Sequence, residues 1–457
     1  MAQPTELDAL YAFLVAAAVT ALLTPVTMRL ARAVGAIDQP RDRGLSERPT
    51  PLLGGLAIFA GVFVATLIFL PAGYGVPPHR YSHLWSGVLL AAAVITMVGA
   101  LDDRFELPVV VKLAGQVVAA LIVVHFGVVV KSITLPFLGS LAFPNAGATN
   151  AGPALTVIGL VAMMNVVNFS DGVDGLAAGV CAIIAAAMAV IAFDLNRAPP
   201  GVLAALTAGA ALGFLIYNFP PASSFMGDCG ANLLGLMMGV ITVEAAVKTT
   251  AVVSFVLPLI LLAVPFLDTT FVVLKRLKYR RPIYESDSEH FHHRMARIGF
   301  SSRRTIAYLY AWTLMLAGLA LALRFVPYSN HHGHLHTGWT LVMIAIGLLV
   351  IAASVYLVYV LEILKFRRLD ASRLRRLRPD ASAAEIERDV ARDFETGEMD
   401  AVSAKPEPAP PNAVLPRVTG DVLRAEQAIA ERQMDQQRVG AEDERGGPQA
   451  PIATDRG

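Results

Sequence analysis

Long apolar segments alternate with short polar connections along most of the chain. Eleven segments approach the roughly 20 apolar residues that a helix needs to cross a bilayer. In chain order they are 9–29, 52–71, 84–101, 108–130, 153–168, 175–194, 201–219, 230–247, 250–274, 304–325 and 338–364. Of these, 153–168 and 230–247 are short, and the region 201–247 can be divided in more than one way. The pattern predicts an all-α polytopic membrane protein with about 11 transmembrane helices.

The composition supports the membrane class. Of the 457 residues, 55% are hydrophobic and only 16% are charged, whereas soluble domains carry about 25% charged residues. The two cysteines do not form the framework of a disulfide-rich secreted domain. We therefore expect the lipid bilayer as a partner and no nucleic acid.

Basic residues predict the orientation. They concentrate in the first and ninth connections and after the last apolar segment, while the alternate connections hold few. Basic loops face the cytoplasm. The pattern places the N-terminus outside and the C-terminus inside, in a multi-pass protein of the inner (plasma) membrane.

The chain after the last apolar segment has a different composition. Residues 369–457 contain few large apolar residues and include a Pro-rich run at 406–411. Such a sequence cannot bury a core. We predict a membrane domain over 1–368 and a cytoplasmic, disordered tail over 369–457.

Four polar motifs fall on the predicted cytoplasmic side. They are the pair Asp102 and Asp103, the stretch 168–175, the stretch 217–228 and the stretch 289–294. Each has a simpler explanation by itself: Asp228 could cap a helix, Asn218 could satisfy a helix end, and the histidines could form an interfacial cluster. Together, the carboxylates and basic residues on one face suggest a hard cation and phosphates, because Mg²⁺ prefers oxygen ligands. The predicted active site therefore lies on the cytoplasmic face.

Taken together, these motifs resemble the polyprenyl-phosphate N-acetylhexosamine-1-phosphate transferase family, glycosyltransferase family 4. The resemblance extends from about Arg48 to Thr305 and rests on five motifs in the family's order: 49–55, 102–103, 168–175, 225–228 and 290–293. The motif 102–105, the single residue between His290 and His292 and the stretch 298–303 are most like the undecaprenyl-phosphate GlcNAc-1-phosphate transferase branch.

This resemblance implies an activity and its substrates. Family members move a sugar-1-phosphate from a UDP-sugar to a membrane lipid phosphate. We expect UDP-GlcNAc as donor, polyprenyl phosphate as acceptor, UMP as released product, and Mg²⁺ or Mn²⁺ as cofactor. The product would begin a cell-surface glycan. A homodimer is an open alternative to a monomer.

The resemblance also assigns the matching residues. Asp102 and Asp103 match the catalytic pair, with Asp103 deprotonating or positioning the lipid phosphate. Asp228 and Asn168 match metal-binding positions. The remaining assignments are nucleotide contacts for Asp174 and Asn218, phosphate or sugar contacts for Lys112, His290, His292, His293 and Arg294, and a position near the metal for Asp171.

Other functions stay open at this stage. Phospho-MurNAc-pentapeptide transfer is the alternative within the family, although Phe291 interrupts the run of three histidines typical of that branch. A membrane transporter is the alternative of another class, but the acidic residues lie at helix ends and not at mid-membrane. A CDP-alcohol phosphotransferase needs Ala-Arg after its Asp-Gly start, and 176–179 does not supply it.

Overall fold

The computed structural model describes residues 4–39, 49–70, 83–135, 139–142, 151–246, 302–327, 336–360 and 385. Within them lie ten helices: α1 Glu6–Val34, α2 Gly54–Phe69, α3 Leu84–Phe105, α4 Val109–His125, α5 Ala151–Ser170, α6 Leu176–Asp194, α7 Ala198–Asn218, α8 Gly227–Ala246, α9 Ser302–Phe325 and α10 Thr337–Val360. Eight of these helices are long and apolar enough to cross a membrane, and α2 and α4 are shorter apolar helices. The described chain is thus a mostly helical, polytopic membrane protein.

Ten of the eleven predicted segments coincide with these helices. The segment 250–274 and the motif 290–294 lie outside the described residues, as does the tail 369–457 apart from Glu385. The structure adds two short antiparallel sheets that the all-α prediction omitted. They pair β1 Ile37–Asp38 with β2 Thr50–Pro51, and β3 Ser132–Leu135 with β4 Gly139–Ala142.

Small side chains bring α1 and α7 together. The buried residues of α1 are alanines and threonines, including Ala12, Ala16 and Thr20. On α7, a side chain at Gly213 would collide with the backbone carbonyl of Ala17. Between membrane helices, where lipid offers no hydrophobic driving force, such close backbone packing provides much of the stability.

Loop contacts gather several helix ends at one end of the bundle, here called the motif end. At the start of α2, the Gly54 and Gly55 N–H groups donate to the carbonyls of Phe225 and Met226, at 3.1 and 2.9 Å. These two carbonyls immediately precede α8. Beside them, Arg303 at the start of α9 donates through Nε to the carbonyl of Pro220 at 3.0 Å.

Helix α9 lies along α6 and contacts it near both ends. Near the motif end, the Tyr310 hydroxyl donates to the carbonyl of Gly175 at 2.6 Å. At the opposite, far end, Arg324 pairs with Asp194. The Trp312 indole N–H donates to Ser354 of α10 at 2.9 Å. These contacts attach α9 and α10 to the rest of the bundle.

Candidate active site

Lys112 lies between two carboxylates from different helices. Its Nζ contacts Asp102 of α3 and lies 3.3 Å from Oδ2 of Asp228, at the start of α8. The Asp102 side chain is only 6% exposed, whereas those of Lys112 and Asp228 are 36% and 24% exposed. Lys112 and Asp228 are therefore the members of this group that a ligand can reach.

Asp103 has a different position from its neighbour. Its Oδ1 accepts the Asp228 N–H at 2.7 Å, and its Oδ2 accepts the Cys229 N–H at 3.3 Å. Gly227 has a φ of +68° and packs directly on this carboxylate, so a side chain there would collide with it. Asp103 thus caps the first turn of α8 from a neighbouring helix, which satisfies two otherwise unpaired donors.

The loop between α5 and α6 carries two further carboxylates. The Asp171 N–H donates to the carbonyl of Asn168 at 3.1 Å, which closes the end of α5. Burial raises the pKa of Asp171 well above its ordinary value, and the charges of Asp228, Asp103 and Asp174 raise it further. These charge effects on Asp171 are consistent with a loop that lies near the start of α8.

Asp174 and Asn218 connect that loop to the loop after α7. Asp174 accepts the Ala222 N–H at 2.9 Å; burial raises the pKa of Asp174, and this hydrogen bond opposes the increase. Asn218 is 2% exposed. Its Oδ1 accepts the Gly175 N–H at 2.8 Å, and its Nδ2 donates to the carbonyl of Ser224 at 2.9 Å. The Asn218 side chain therefore holds two loops together.

Most of the predicted site residues meet at the motif end. Asp102, Lys112 and Asp228 form one group, with Asp103 beneath the start of α8 and Asp171 within electrostatic range. Asp174 and Asn218 are in the adjoining loop contacts, and Asn168 is half-buried in the last turn of α5. His290, His292, His293 and Arg294 lie outside the described residues.

Sequence reasoning missed two sets of residues around this site. Arg303 and Tyr310 attach α9 to the site loops. Gln116, Asn165 and Asn232 are amides inside apolar helices, and they are hydrogen-bonded to one another across three helices. The signal for the amides was present in the spacing, because Gln116 and Asn232 each follow a site residue by four positions and so share its helix face.

The chemical type of these carboxylate side chains fits a hard cation. Carboxylate oxygens are the ligands that Mg²⁺ prefers, and Asp228 is partly exposed beside Asp102. Within the described ranges, no group of three or more His, Cys, Asp or Glu side chains is arranged to hold a metal ion. In this arrangement Lys112 supplies the positive charge between the two acids.

Comparisons with known proteins identify the family of this chain. A family model described as glycosyl transferase family 4 matches residues 85–246. The chain is 33% identical over 319 residues to the "Probable undecaprenyl-phosphate N-acetylglucosaminyl 1-phosphate transferase" of Bacillus subtilis, covering 68% of this chain and 84% of the relative.

Two further relatives have similar coverage. The decaprenyl-phosphate N-acetylglucosaminephosphotransferase of Mycobacterium tuberculosis is 35% identical over 336 residues, covering 69% of this chain and 82% of the relative. The undecaprenyl-phosphate alpha-N-acetylglucosaminyl 1-phosphate transferase of Escherichia coli is 27% identical over 315 residues, covering 67% and 83%.

Proposed function

Because the chain belongs to glycosyl transferase family 4, we propose that it transfers GlcNAc-1-phosphate from UDP-GlcNAc to undecaprenyl or another polyprenyl phosphate. The products are polyprenyl-diphosphate-GlcNAc and UMP. The observation that carries the proposal is the group formed by Lys112, Asp102 and Asp228 at the motif end of the bundle. The names of the relatives support the sugar and the lipid.

The reaction is a single displacement at phosphorus. An oxygen of the lipid phosphate attacks the β-phosphorus of the UDP-sugar, and the bond from that phosphorus to the bridging oxygen breaks as UMP leaves. Lys112 is partly exposed, so it can neutralise charge on the transferring phosphoryl oxygens. One pyrophosphate linkage is broken and one is made, so we expect a reversible reaction.

Metal dependence belongs to the same proposal. Asp228 and Asn168 would hold Mg²⁺ or Mn²⁺, with Asp102 beside them. A bound divalent cation would supply Lewis-acid stabilisation of the phosphoryl oxygens. The protein's own part is to keep Asp228 partly exposed and to hold it next to Lys112.

Roles for the other residues follow from their places. We assign the nucleotide contacts to Asp174 and Asn218, and we place Asp171 near the metal. Asn218 also holds the loop of Asp174 through the Gly175 N–H. Asp103 is proposed to position the lipid phosphate, by its own charge or by fixing the first turn of α8. The pyrophosphate and sugar contacts of His290, His292, His293 and Arg294 stay predictions.

We further propose eleven spans, with the N-terminus outside and the motif end cytoplasmic. Helix α8 begins at the motif end and runs towards the far end, whereas α9 begins at the motif end again. We therefore propose that the chain between them crosses the membrane an odd number of times. One span over 250–274 satisfies this requirement, and the basic connections agree with the orientation.

The test is a reaction of purified full-length protein with undecaprenyl phosphate and a panel of UDP-sugars, with UMP release as the readout. We expect turnover with UDP-GlcNAc, loss of turnover in EDTA, and regeneration of UDP-GlcNAc when the product lipid is incubated with UMP. Use of UDP-MurNAc-pentapeptide in place of UDP-GlcNAc would refute the assigned sugar. UMP exchange into UDP-GlcNAc without lipid would refute the single displacement.

A further inference from the structure

A chain of three amide side chains crosses the bundle below the carboxylate site. Asn165 of α5 donates through Nδ2 to Oε1 of Gln116 at 2.8 Å, and Gln116 of α4 donates through Nε2 to Oδ1 of Asn232 at 2.8 Å. Asn232 of α8 donates through Nδ2 to the backbone carbonyl of Asp228, also at 2.8 Å. Gln116 and Asn232 are 4% and 5% exposed. The amide chain thus links three helices, with Gln116 and Asn232 buried and Asn165 half-buried.

The donor and acceptor directions of this chain are determined at one end. The Asp228 carbonyl can only accept, so Asn232 must turn its NH₂ group towards it and its Oδ1 towards Gln116. Gln116 must then donate to Asn232 and accept from Asn165. Since each amide has one acceptor and one donor group, the chain has a single consistent arrangement.

Each amide lies one helical turn from a predicted site residue on its own helix. Gln116 follows Lys112 by four residues on α4, and Asn232 follows Asp228 by four residues on α8. On α5, which runs in the opposite direction, Asn165 precedes Asn168 by three residues. Residues at these spacings share a helix face. The amide layer therefore lies about 6 Å deeper than the site, on the same faces of the same helices.

We propose that Gln116, Asn232 and Asn165 are positioning residues that fix where Lys112 stands relative to Asp228. This inference rests on the proposed function for its kinetic consequences. Buried amide hydrogen bonds tolerate little change in length or angle. They set the rotation and height of α4 against α8, which places Nζ of Lys112 between Asp102 and Asp228.

Two changes separate positioning from packing. Gln116→Met has nearly the same volume but removes both links, which leaves the Asn232 amide without its buried partner. The double variant Gln116→Met with Asn232→Leu removes both polar partners, and such paired replacement by apolar groups can be nearly neutral for stability. Thr207→Val is the matched control, because within the described residues that buried hydroxyl on α7 donates to a carbonyl of its own helix, that of Leu203, at 2.7 Å.

The first readout requires no turnover. Nζ of Lys112 is held by Asp102 and Asp228. A reagent must displace these contacts to reach the nitrogen, so Lys112 should react slowly with acetic anhydride in the detergent-solubilised protein. Mass spectrometry would compare its acetylation with that of Lys131, which is exposed after the end of α4. We expect acetylation of Lys112 relative to Lys131 to rise several-fold in both amide variants and to stay unchanged in Thr207→Val.

The second readout is kinetic. With UDP-GlcNAc and undecaprenyl phosphate, kcat should fall about 10- to 100-fold in both amide variants, with a much smaller change in the KM of either substrate. In a Lys112→Met background, Gln116→Met should cause little further fall in kcat. Its effect acts through the position of Lys112, which is already absent in that background. The double variant should regain thermal stability without regaining kcat.

The outcomes distinguish the two proposals. If Lys112 acetylation stays unchanged and kcat recovers together with stability in the double variant, the amide chain only packs the helices and the inference is wrong. If the wild-type protein does not turn over UDP-GlcNAc but Lys112 acetylation rises as expected, the positioning role stands and the proposed function is wrong.

Discussion

At the scale of single residues, Asp228 is the acid whose loss should affect turnover most. Asp228→Asn keeps the size of the side chain but removes its charge beside Lys112. We expect kcat to fall by about 10²–10³-fold, in the range seen when a preorganised electrostatic contact is lost. UMP release by purified protein measures it. Asp194→Asn is the matched control, since it breaks the ion pair with Arg324 at the far end; an equal loss of turnover there would contradict the prediction.

Asp171 should make the folded protein less stable as the pH rises. Its pKa is raised in the folded state by burial and by neighbouring carboxylates, so the folded chain holds this proton more tightly than the unfolded chain does. Stability is therefore lost as the pH increases from the unfolded pKa towards the folded one. Asp171→Asn removes this loss and should raise the Tm by a few degrees at neutral pH.

Thermal unfolding in metal-free detergent buffer from about pH 5 to about pH 8 checks this prediction. The Tm difference between Asp171→Asn and the wild type should grow with pH. Glu6→Gln, at an exposed position in the first turn of α1, is the control, and its Tm difference should not depend on pH in this way. A constant difference for Asp171→Asn would contradict the assigned pKa shift.

The sequence indicated which residues would gather, but not how each carboxylate or amide would be used. Adjacent acids such as Asp102 and Asp103 point in different directions on a helix, so one meets Lys112 while the other caps α8. Nothing in the local pattern distinguishes them, because the difference comes from where α8 begins against α3. Likewise, the buried role of Asn218 depends on two loops that are distant in sequence from each other.

At the scale of elements, the contact between α9 and the loop that we assign to the nucleotide should affect the affinity for the UDP-sugar. Tyr310→Phe removes the hydrogen bond to the carbonyl of Gly175 while keeping the ring. A lost hydrogen bond costs about 1 kcal/mol, so we expect the KM for the UDP-sugar to rise about fivefold with little change in kcat. Tyr356→Phe on α10, an exposed position, is the control. Equal KM values for both variants would show that the loop does not depend on α9.

Helices were predictable because each apolar segment is long enough to be recognised without its neighbours. The two small sheets were not, because strands of two to four residues are too short to show an alternating pattern. The β1–β2 pair also joins residues on either side of the basic first connection, where the Ala36 carbonyl accepts the Leu52 N–H at 3.1 Å. Its formation depends on how α1 and α2 are placed together.

At the scale of the whole molecule, the proposed orientation can be tested on intact cells. Single cysteines at Lys131 and Phe105, both exposed, would be introduced into a variant in which Cys181 and Cys229 are replaced by serine. A membrane-impermeant maleimide should label the cysteine at 131 and leave the one at 105 unlabelled until the cells are opened. The reverse labelling pattern would show that the orientation is opposite to the proposed one.

The predicted tail offers a second test at this scale. Residues 369–457 contain few large apolar side chains and should add nothing to the transferase domain. Truncation after Pro379 should leave insertion, kcat and KM unchanged. Normal insertion with loss of turnover would mean that the tail takes part in catalysis or assembly.

The two contacts between α9 and α6 have a mechanical consequence. Tyr310 meets the carbonyl of Gly175 near one end of the pair, and Arg324 meets Asp194 near the other. A piston-like slide of α9 by even one turn, about 5.4 Å, would break both contacts at once. Tilting α9 about one contact can keep that contact while the other opens. A force that reaches α9 from the site loops would therefore tilt the helix about one of these contacts and would not shift it along its own axis.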